Sequence, residues 1–447
     1  MITYQNVDMK RYILPILTML LLAGCGIYRP YSRPQQISAP EVGDTLTLSW
    51  REMFTDPLLQ QFIDSALVRN TDLRTAQLRI EEAEANLLTA RLSLLPSLNL
   101  SASAATDDFA DYATSITANA SWQVDVFASL TNAKRQAKAV LVGSEAYRDA
   151  VQTQLIADVA ASYYTVALLR KQYAVTEDAT DAWAKTVETA RAMKDAGMIT
   201  EAAVAQYEAT YWSTKASLED YEYSLHTTLG SLCSLLCLSP ADAEMALFDR
   251  IQWAHEDMFV TFPALDFNRL TLRPDIRQAE ATLMQAYYAT SVARASLYPS
   301  LTLTGKGLTD FSFADFGKNL AASVLLPVFN AASNRMRVKV VRLQQEESLL
   351  AFEQTLCDAA IEVDNILAQR ASVAAKAEGY ARQVEALERA AESTDALMQY
   401  GSTSVTYLDV LTARRSLLTA QLAQLSNEAS IITTHIALYR ALGGGIR

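Results

Sequence analysis

The sequence predicts a mainly α-helical chain with a small β part, built from two tandem copies of one unit. Three observations lead to this prediction: two long stretches without proline, an internal repeat, and two regions where polar and apolar residues alternate. The chain has 447 residues, of which 50% are hydrophobic. That length suffices for a sizeable core or for several elongated segments.

Very long helices are predicted from the placement of proline. No proline lies between Pro96 and Pro240, or after Pro327, and glycine is sparse in both stretches. Proline breaks helices and glycine weakens them. We therefore expect residues 131–195 and 331–399 each to form one helix, about 100 Å long at the rise of an α-helix. Such helices need packing partners, because an isolated helix is only marginally stable.

The tandem duplication is visible as self-similarity. Residues 72–100 match residues 275–303 without a gap, and 12 of these 29 positions are identical. The match includes a Pro-Ser-Leu sequence that begins at Pro96 and again at Pro299. We divide the chain into a first repeat at 56–240, an inter-repeat segment at 241–264 and a second repeat at 265–447.

Strands are predicted after each Pro-Ser-Leu sequence. From residue 116 to 126 every even position is apolar and every odd one polar, which is typical of a strand with one wet face. Residues 97–106 form its predicted partner, and 300–306 with 319–329 form a second pair. We predict that the odd face lines a barrel lumen, through Thr117, Asn119, Ser121, Gln123 and Asp125. The alternative is a soluble four-stranded sheet.

Four strands do not close a barrel in lipid, where every backbone group must be paired internally. The smallest membrane barrels have about eight strands. If these strands lie in a membrane, several chains must therefore contribute to one barrel. Oligomerisation follows from this argument, but the number of subunits does not.

The N-terminus predicts export from the cytoplasm. Lys10 and Arg11 precede an apolar run at 12–24, which is too short to span a bilayer and is typical of a secretory signal peptide. The run ends in Leu-Ala-Gly followed by Cys25, which looks like a bacterial lipobox. That likeness implies cleavage after residue 24, a lipid chain on the Cys25 sulfur, and a lipidated linker at 25–55.

Composition argues against several function classes. A net charge of −12 makes the chain a poor partner for nucleic acid, whose phosphates demand a basic surface. The three histidines lack ligand spacing, and neither a phosphate loop nor a nucleophile elbow is present. Cys233 and Cys237 lie four residues apart on a predicted helix. They could be two ligands of one metal ion or two small buried residues, and we favour the buried residues. We expect no enzyme activity, no metal and no cofactor.

Six segments, in this order and together with the duplication, resemble the outer-membrane efflux family, whose fold is TolC-like. The resemblance covers nearly all of the chain from Cys25 onward. The lipobox resembles that of the lipoprotein branch, which serves resistance-nodulation-division pumps. The segments are residues 54–59, 70–73, 121–127, 273–277, 407–411 and 438–445.

The resemblance implies a homotrimer with a 12-stranded outer-membrane barrel and a long periplasmic helical barrel. It implies an outer-membrane channel of a tripartite efflux pump, lipid-anchored and extending into the periplasm. The partners would be a periplasmic adaptor protein, an inner-membrane resistance-nodulation-division pump and outer-membrane lipid, and small molecules would pass through passively. One alternative is the duct of a type I protein secretion system. Another is a structural coiled-coil lipoprotein, which would have no strands.

The resemblance also suggests where a periplasmic gate would lie. Gly197 and Gly401 interrupt two helical patterns, and we predict that each marks a helical tip, where a tight turn joins two helices. Asp409 follows the second turn, and three copies would form an acidic ring that favours cations. The alternative is that Asp409 caps a helix or pairs with a neighbouring one. The family often has glycine where this chain has Ala128, so the turn geometry there is expected to be tighter or shifted.

Overall fold

The structure is a computed structural model that describes residues 29–33, 49–107, 111–239, 248–253, 267–308, 320–325, 331–400 and 405–444. Within these ranges each repeat has the predicted order of a helix, two strands, a long helix and a further helix. In chain order they are α1 (Trp50–Met53), α2 (Pro57–Arg69), α3 (Thr71–Leu92), β1 (Ser97–Asp107), β2 (Asp111–Val124), α4 (Ser129–Asp195), α5 (Glu201–Leu236), a 3-10 helix (Phe267–Leu272), α6 (Pro274–Ala295), β3 (Ser300–Leu308), β4 (Leu320–Leu325), α7 (Ala331–Gln399) and α8 (Tyr407–Ala441).

The two repeats produce matching elements. Helices α3 and α6 each have 22 residues, α4 and α7 have 67 and 69, and α5 and α8 have 36 and 35. The fold-class prediction, mainly α with a small β part and a tandem duplication, is confirmed.

Strand boundaries differ from those predicted. Strand β2 begins at Asp111 and ends at Val124, so the predicted strand at 116–126 begins five residues late and continues two residues too far. Strand β3 continues to Leu308 rather than ending at 306. Of the predicted strand at 319–329, residues 320–325 form β4, and the remainder lies outside the described residues.

The four strands form one antiparallel sheet in the order β1-β2-β3-β4. The register aligns odd residues of β2 with odd residues of β1 and with even residues of β3. Side chains alternate between the two faces of a strand, so this register gives the sheet one largely polar and one largely apolar face. Strands β1 and β4 are its two edges.

The chain divides into two compact units, and each unit contains parts of both repeats. Unit 1 comprises residues 1–40, 76–148 and 274–357, and unit 2 comprises residues 41–75, 149–273 and 358–447. The duplicated halves of the sequence are therefore not separate folding units.

Contacts within unit 1 give the order of its helices. The Arg79 guanidinium of α3 lies 4.9 Å from the centre of the Tyr147 ring of α4. A Cβ on Gly143 of α4 would lie 3.3 Å from the Ala281 Cβ of α6, so these helices are in close contact. The Thr290 hydroxyl of α6 donates to the Val341 carbonyl of α7 at 3.3 Å. Among the described residues of unit 1, these contacts place the helices in the order α3-α4-α6-α7.

Unit 2 has its core where α2 packs against α4, α5 and the segment around Phe248. The Phe62 and Phe248 rings stack at 5.2 Å, and Leu59 and Ile63 are fully buried. Asp56 begins α2 by accepting hydrogen bonds from the Leu58 and Leu59 amides, with proline at the first helical position, as is common. Among the described residues, no helix is both long and apolar enough to cross a membrane.

Candidate functional site

Polar side chains follow one face of the sheet across neighbouring strands. Asn119 pairs with Asn99, Ser121 with Ser97, and the Ser101 and Thr117 hydroxyls lie 2.9 Å apart. On the other side of β2, Ser121 pairs with Thr304 and Gln123 with Thr302. The register brings together four residues predicted for one face, Thr117, Asn119, Ser121 and Gln123, with polar residues of β1 and β3, among which Lys306 pairs with Asn119. Such a face can line a wet passage and offers many hydrogen-bonding groups.

The opposite face of the sheet is apolar, and its large side chains on β1 are exposed in the single chain. Leu98 and Leu100 on β1 are 67% and 74% exposed. Next to them on β2, Trp122 is partly exposed, and its indole N–H donates to the Leu94 carbonyl at 3.0 Å. Large exposed apolar patches mark surfaces that contact lipid or another protein. An alternation between polar and apolar faces is also typical of strands in outer-membrane barrels.

The placement of Asp125 on the strand face is wrong. Strand β2 ends at Val124, and the Asp125 carboxylate turns to the start of α4, where it accepts hydrogen bonds from the Leu130 and Thr131 amides at 2.9 and 2.7 Å. The first amides of a helix have no partner inside the helix and favour a negative charge. Asp125 therefore fixes the start of the long helix α4.

Gly197 lies in the connection between α4 and α5, as predicted. Its φ is +74°, its amide donates to the Lys194 carbonyl, and the Met198 amide donates to the Met193 carbonyl. This pair of bonds is the Schellman motif, which ends many helices at a glycine. Helix α5 then begins after its N-cap Thr200. Gly401, the counterpart in the second repeat, lies outside the described residues.

Asp409 is hydrogen-bonded to the residue that caps its own helix. The Thr406 amide and the Thr406 hydroxyl donate to the same Asp409 oxygen at 2.8 and 2.7 Å, while the Asp409 amide donates back to Thr406. These bonds form a capping box. The hydrogen bonds from Thr406 hold the pKa of this exposed carboxyl below its usual value. The contact supports the predicted capping alternative, whereas an acidic ring remains a prediction.

Arg414 connects three helices and was not predicted from the sequence. Its guanidinium donates to both oxygens of Asp395 on α7, to the Ala182 carbonyl on α4 at 3.1 Å and to the Thr186 hydroxyl at 2.6 Å. The same group lies 5.9 Å from the centre of the buried Trp183 ring. We call Arg414, Asp395, Ala182, Trp183 and Thr186 the arginine clamp.

The predicted lipidation site, Cys25, lies outside the described residues, but residues 29–33 are attached to α6. The Arg33 guanidinium forms a two-point ion pair with Glu280. The Tyr31 amide donates to the Tyr288 hydroxyl, and the Tyr287 hydroxyl donates to the Arg29 carbonyl, each at 3.2 Å. We call residues 29–33 the strap. Burial raises the pKa of Tyr31 to about 12, and neighbouring Glu280 adds to the rise.

The described part of the chain contains no cluster of three metal-ligating side chains. Cys233 is buried, which agrees with the favoured interpretation of a small core residue. That interpretation is wrong for Cys237, which is exposed and adopts φ of +51° at the end of α5.

Comparison with known proteins gives consistent matches over almost the whole chain. The family model described as outer membrane efflux protein matches residues 62–237 and 268–444. The cation efflux system protein CusC of Escherichia coli K12 is 28% identical over 97% of this chain and 99% of its own length. The probable outer membrane lipoprotein SilC of Salmonella typhimurium is 29% identical over 98% and 99%. A crystal structure of CusC superimposes with a TM-score of 0.80, covering 93% of this chain and 99% of that one.

Proposed function

Since the chain belongs to the outer membrane efflux protein family, we propose that it works as a homotrimeric, lipid-anchored channel through which small solutes leave the periplasm passively. Its general function is that of the outer-membrane component of a tripartite efflux system. The trimer, the lumen-lining residues, the lipid anchor and the cargo are the parts that we propose. Transport energy would come from an inner-membrane pump, and a periplasmic adaptor would connect the two.

The observation that supports a channel most strongly is the sheet with one polar face and one apolar face, on which Leu98, Leu100 and Trp122 are exposed. In lipid the apolar face contacts acyl chains and the polar face borders water. Four strands per chain leave the edges β1 and β4 with unpaired backbone groups, which lipid does not tolerate. Three copies would supply twelve strands, enough for a closed barrel.

The polar face also suggests which cargo the channel accepts. The four side chains of β2 that we place in the lumen, Thr117, Asn119, Ser121 and Gln123, are uncharged, while Lys306 of β3 stands opposite Asn119 in the register. Because most side chains on this face are uncharged, we propose that the pump and adaptor, rather than the channel, select the cargo. Because CusC is named a cation efflux protein, metal cations are the first class to test, followed by small drugs and other toxic compounds.

The strap supports the proposal of an anchor at Cys25. Its contacts run from Glu280 at Arg33 toward Tyr287 at Arg29, so the chain approaches the end of α6 that leads into β3. Cys25 precedes Arg29 by four residues, which span at most about 14 Å. A lipid on Cys25 would then be held near the sheet, where the proposed membrane part lies.

Cysteine labelling tests the channel. In a background with Cys237→Ser and Cys357→Ser, which removes the two exposed thiols, single cysteines are introduced along β2. We expect a charged, membrane-impermeant methanethiosulfonate to react at Thr117→Cys, Asn119→Cys and Ser121→Cys and to lower the conductance of reconstituted channels. Ala118→Cys and Ala120→Cys are the matched controls on the other face.

The opposite labelling pattern would reverse the lumen assignment, and equal labelling of both faces would argue against a membrane barrel. A type I secretion duct would show the same lumen, so the cargo needs its own test. Cells that lack their own channel should regain tolerance to metal cations or drugs when this chain is expressed with its adaptor and pump. Export of a protein substrate without such tolerance would favour the secretion alternative.

A further inference from the structure

Charged residues are rare in the sheet. Among the strand residues that the structure describes, at 97–107, 111–124, 300–308 and 320–325, three carry a charge, and they are Asp107, Asp111 and Lys306. Lys306 is the one cation within those ranges. The register pairs Asp107 with Asp111 and Lys306 with Asn119, so all three charged residues lie on the polar face of the sheet.

The opposite face carries no charged residue in the same strand ranges. Its large residues are Leu98 and Leu100 on β1, Trp122 on β2, and Leu301 and Leu303 on β3. A lysine on a face that contacts lipid is costly near the middle of a bilayer, whereas a lysine in a wet lumen is not. The position of Lys306 therefore agrees with a lumen on the polar side.

The positions next to Lys306 on the polar face are uncharged. Asn119 stands opposite it, Thr117 and Ser121 are the adjoining positions of that face on β2, and Thr304 precedes it by two residues on β3. Within the described strands, the register therefore places no carboxylate beside Lys306 that would offset its charge.

The two aspartates lie far from Lys306 along the sheet. Asp111 precedes Asn119 by eight residues on β2, which is about 27 Å at the rise of an extended strand. At a salt concentration of 0.1 M, interactions between exposed charges are largely screened beyond about 10 Å. The electrostatic potential at the level of Asn119 is therefore governed by Lys306 rather than by the aspartates.

We propose that Lys306 makes the lumen favour anionic over cationic solutes at the level of Asn119. This inference rests on the proposed function for the trimer and the lumen, and it adds a local charge preference to a passage whose cargo the pump and adaptor select. Three copies would place three lysines at one height around the axis, and rings of lysine or arginine attract anions in a pore. Free metal cations would be opposed at this level, whereas anionic solutes and metal complexes with a net negative charge would be concentrated.

Charged thiol reagents measure this preference where it acts. The probe is Asn119→Cys in the full-length, lipidated protein with Cys237→Ser and Cys357→Ser, reconstituted in lipid nanodiscs. The rate constants of an anionic methanethiosulfonate, which carries a sulfonate, and of a cationic one, which carries a trimethylammonium group, are compared as a ratio. The ratio cancels any change in the reactivity of the thiol itself, because that change affects both reagents equally.

We expect Lys306→Gln to lower the anionic-to-cationic rate ratio at Asn119→Cys about three- to tenfold in 0.1 M salt. The reagents differ by two charges, and Lys306 is the register partner of the probe, so the loss of one nearby charge changes their local concentrations in opposite directions. Lys306→Arg keeps the charge and should preserve the ratio.

A second position and a change of salt serve as controls. Gln123→Cys lies on the same face four residues from Asn119, about 13 Å along β2, so Lys306→Gln should change its ratio less. At 1 M salt the screening length falls to about 3 Å. The ratio at Asn119→Cys with native Lys306 should then approach the ratio measured for Lys306→Gln, and this measurement needs no substitution of the lysine.

Three results would overturn the inference. A ratio at Asn119→Cys that Lys306→Gln leaves unchanged would show that the lysine does not set the potential there. Equal decreases at Asn119→Cys and Gln123→Cys would show a change of the whole barrel rather than a local charge. A ratio that stays high in 1 M salt would show that charge is not its cause. If neither reagent reacts at either cysteine, the lumen assignment and the proposed function are contradicted instead.

Discussion

At the residue scale, five of the described residues adopt a positive φ, and three of them, Gly197, Gly443 and Gly444, are glycines. Gly197 ends α4 with φ of +74°, whereas Ala128 before α4 and Cys237 after α5 adopt +56° and +51°. This conformation costs residues other than glycine about 1–2 kcal/mol. The turn at Gly197 was predictable, because a glycine interrupts a helical pattern there. At Ala128 only a tighter or shifted turn was expected, and the left-handed conformation was not, because alanine rarely adopts it.

Asp409 allows a prediction at this scale, because capping and gating require different properties of its carboxylate. Replacing it by alanine removes the acceptor for Thr406, so we expect a few-fold faster hydrogen exchange of the amides at Thr406–Val410. Glu385→Ala, which removes an exposed carboxylate from α7, is the control and should leave these amides unchanged. If Asp409→Ala also abolishes the cation preference of the channel while Glu385→Ala does not, the acidic ring is supported as well.

The pH dependence of this cap follows from the sign of its shift. The pKa of Asp409 is lowered in the folded chain by hydrogen bonds from Thr406. The cap therefore stabilises the start of α8 above the unfolded pKa of about 4, and this contribution is lost as pH falls through the folded value. Exchange at Thr406–Val410 should accelerate in wild type relative to Asp409→Ala as the pH falls below about 4. Parallel curves for the two proteins would contradict the cap.

At the element scale, the sequence predicted which segments are helices and strands better than how the helices contact one another. Missing proline and strict alternation are local signals, so α4, α7 and β2 were visible in the chain. The arginine clamp was not, because Arg414 meets Ala182 across 232 residues and Asp395 across 19. A single sequence contains no signal that residues so far apart in the chain are in contact. The end of β2 was missed for a local reason, since Asp125 continues the polar alternation but serves the next helix.

The arginine clamp leads to a prediction about how α4, α7 and α8 hold together. We expect Arg414→Met to lower the free energy of unfolding by about 2 kcal/mol, because Asp395 loses its charged partner while the packing volume is kept. Circular dichroism during heating would show this as a lower melting temperature. Arg415→Met is the matched control: it removes the same group from the adjacent, exposed position. Equal effects of the two substitutions would show that the clamp adds nothing beyond surface charge.

At the scale of the whole molecule, the duplication was predicted from the sequence but the compact units were not. The repeat is a relation between residues 203 positions apart, as Asp72 and Asp275 show. Each compact unit instead combines segments of both repeats, because the long helices α4 and α7 continue from unit 1 into unit 2. The strap was likewise invisible, since its partners on α6 lie 247–258 residues further along the chain. Helices, strands and the repeat could be predicted because they are patterns in the sequence. The compact units and the strap could not, because they depend on contacts between distant residues.

The strap sets the last prediction, because it connects the proposed lipid anchor to unit 1. Glu280→Gln removes the charge that binds Arg33 while it keeps the length of the side chain. We expect hydrogen exchange at the Tyr31 and Ser32 amides to increase by about tenfold, as for the loss of a charge-assisted bond of roughly 1.5 kcal/mol. Thr282→Ala, two residues away on the same helix and exposed, should leave these amides unchanged.

Mass spectrometry of the same samples should show the same lipid on Cys25 in both variants, which separates release of the strap from failure of lipidation. If exchange at Tyr31 stays at the wild-type rate in Glu280→Gln, the ion pair does not hold the strap, and the attachment must rest on Tyr287 and Tyr288 alone.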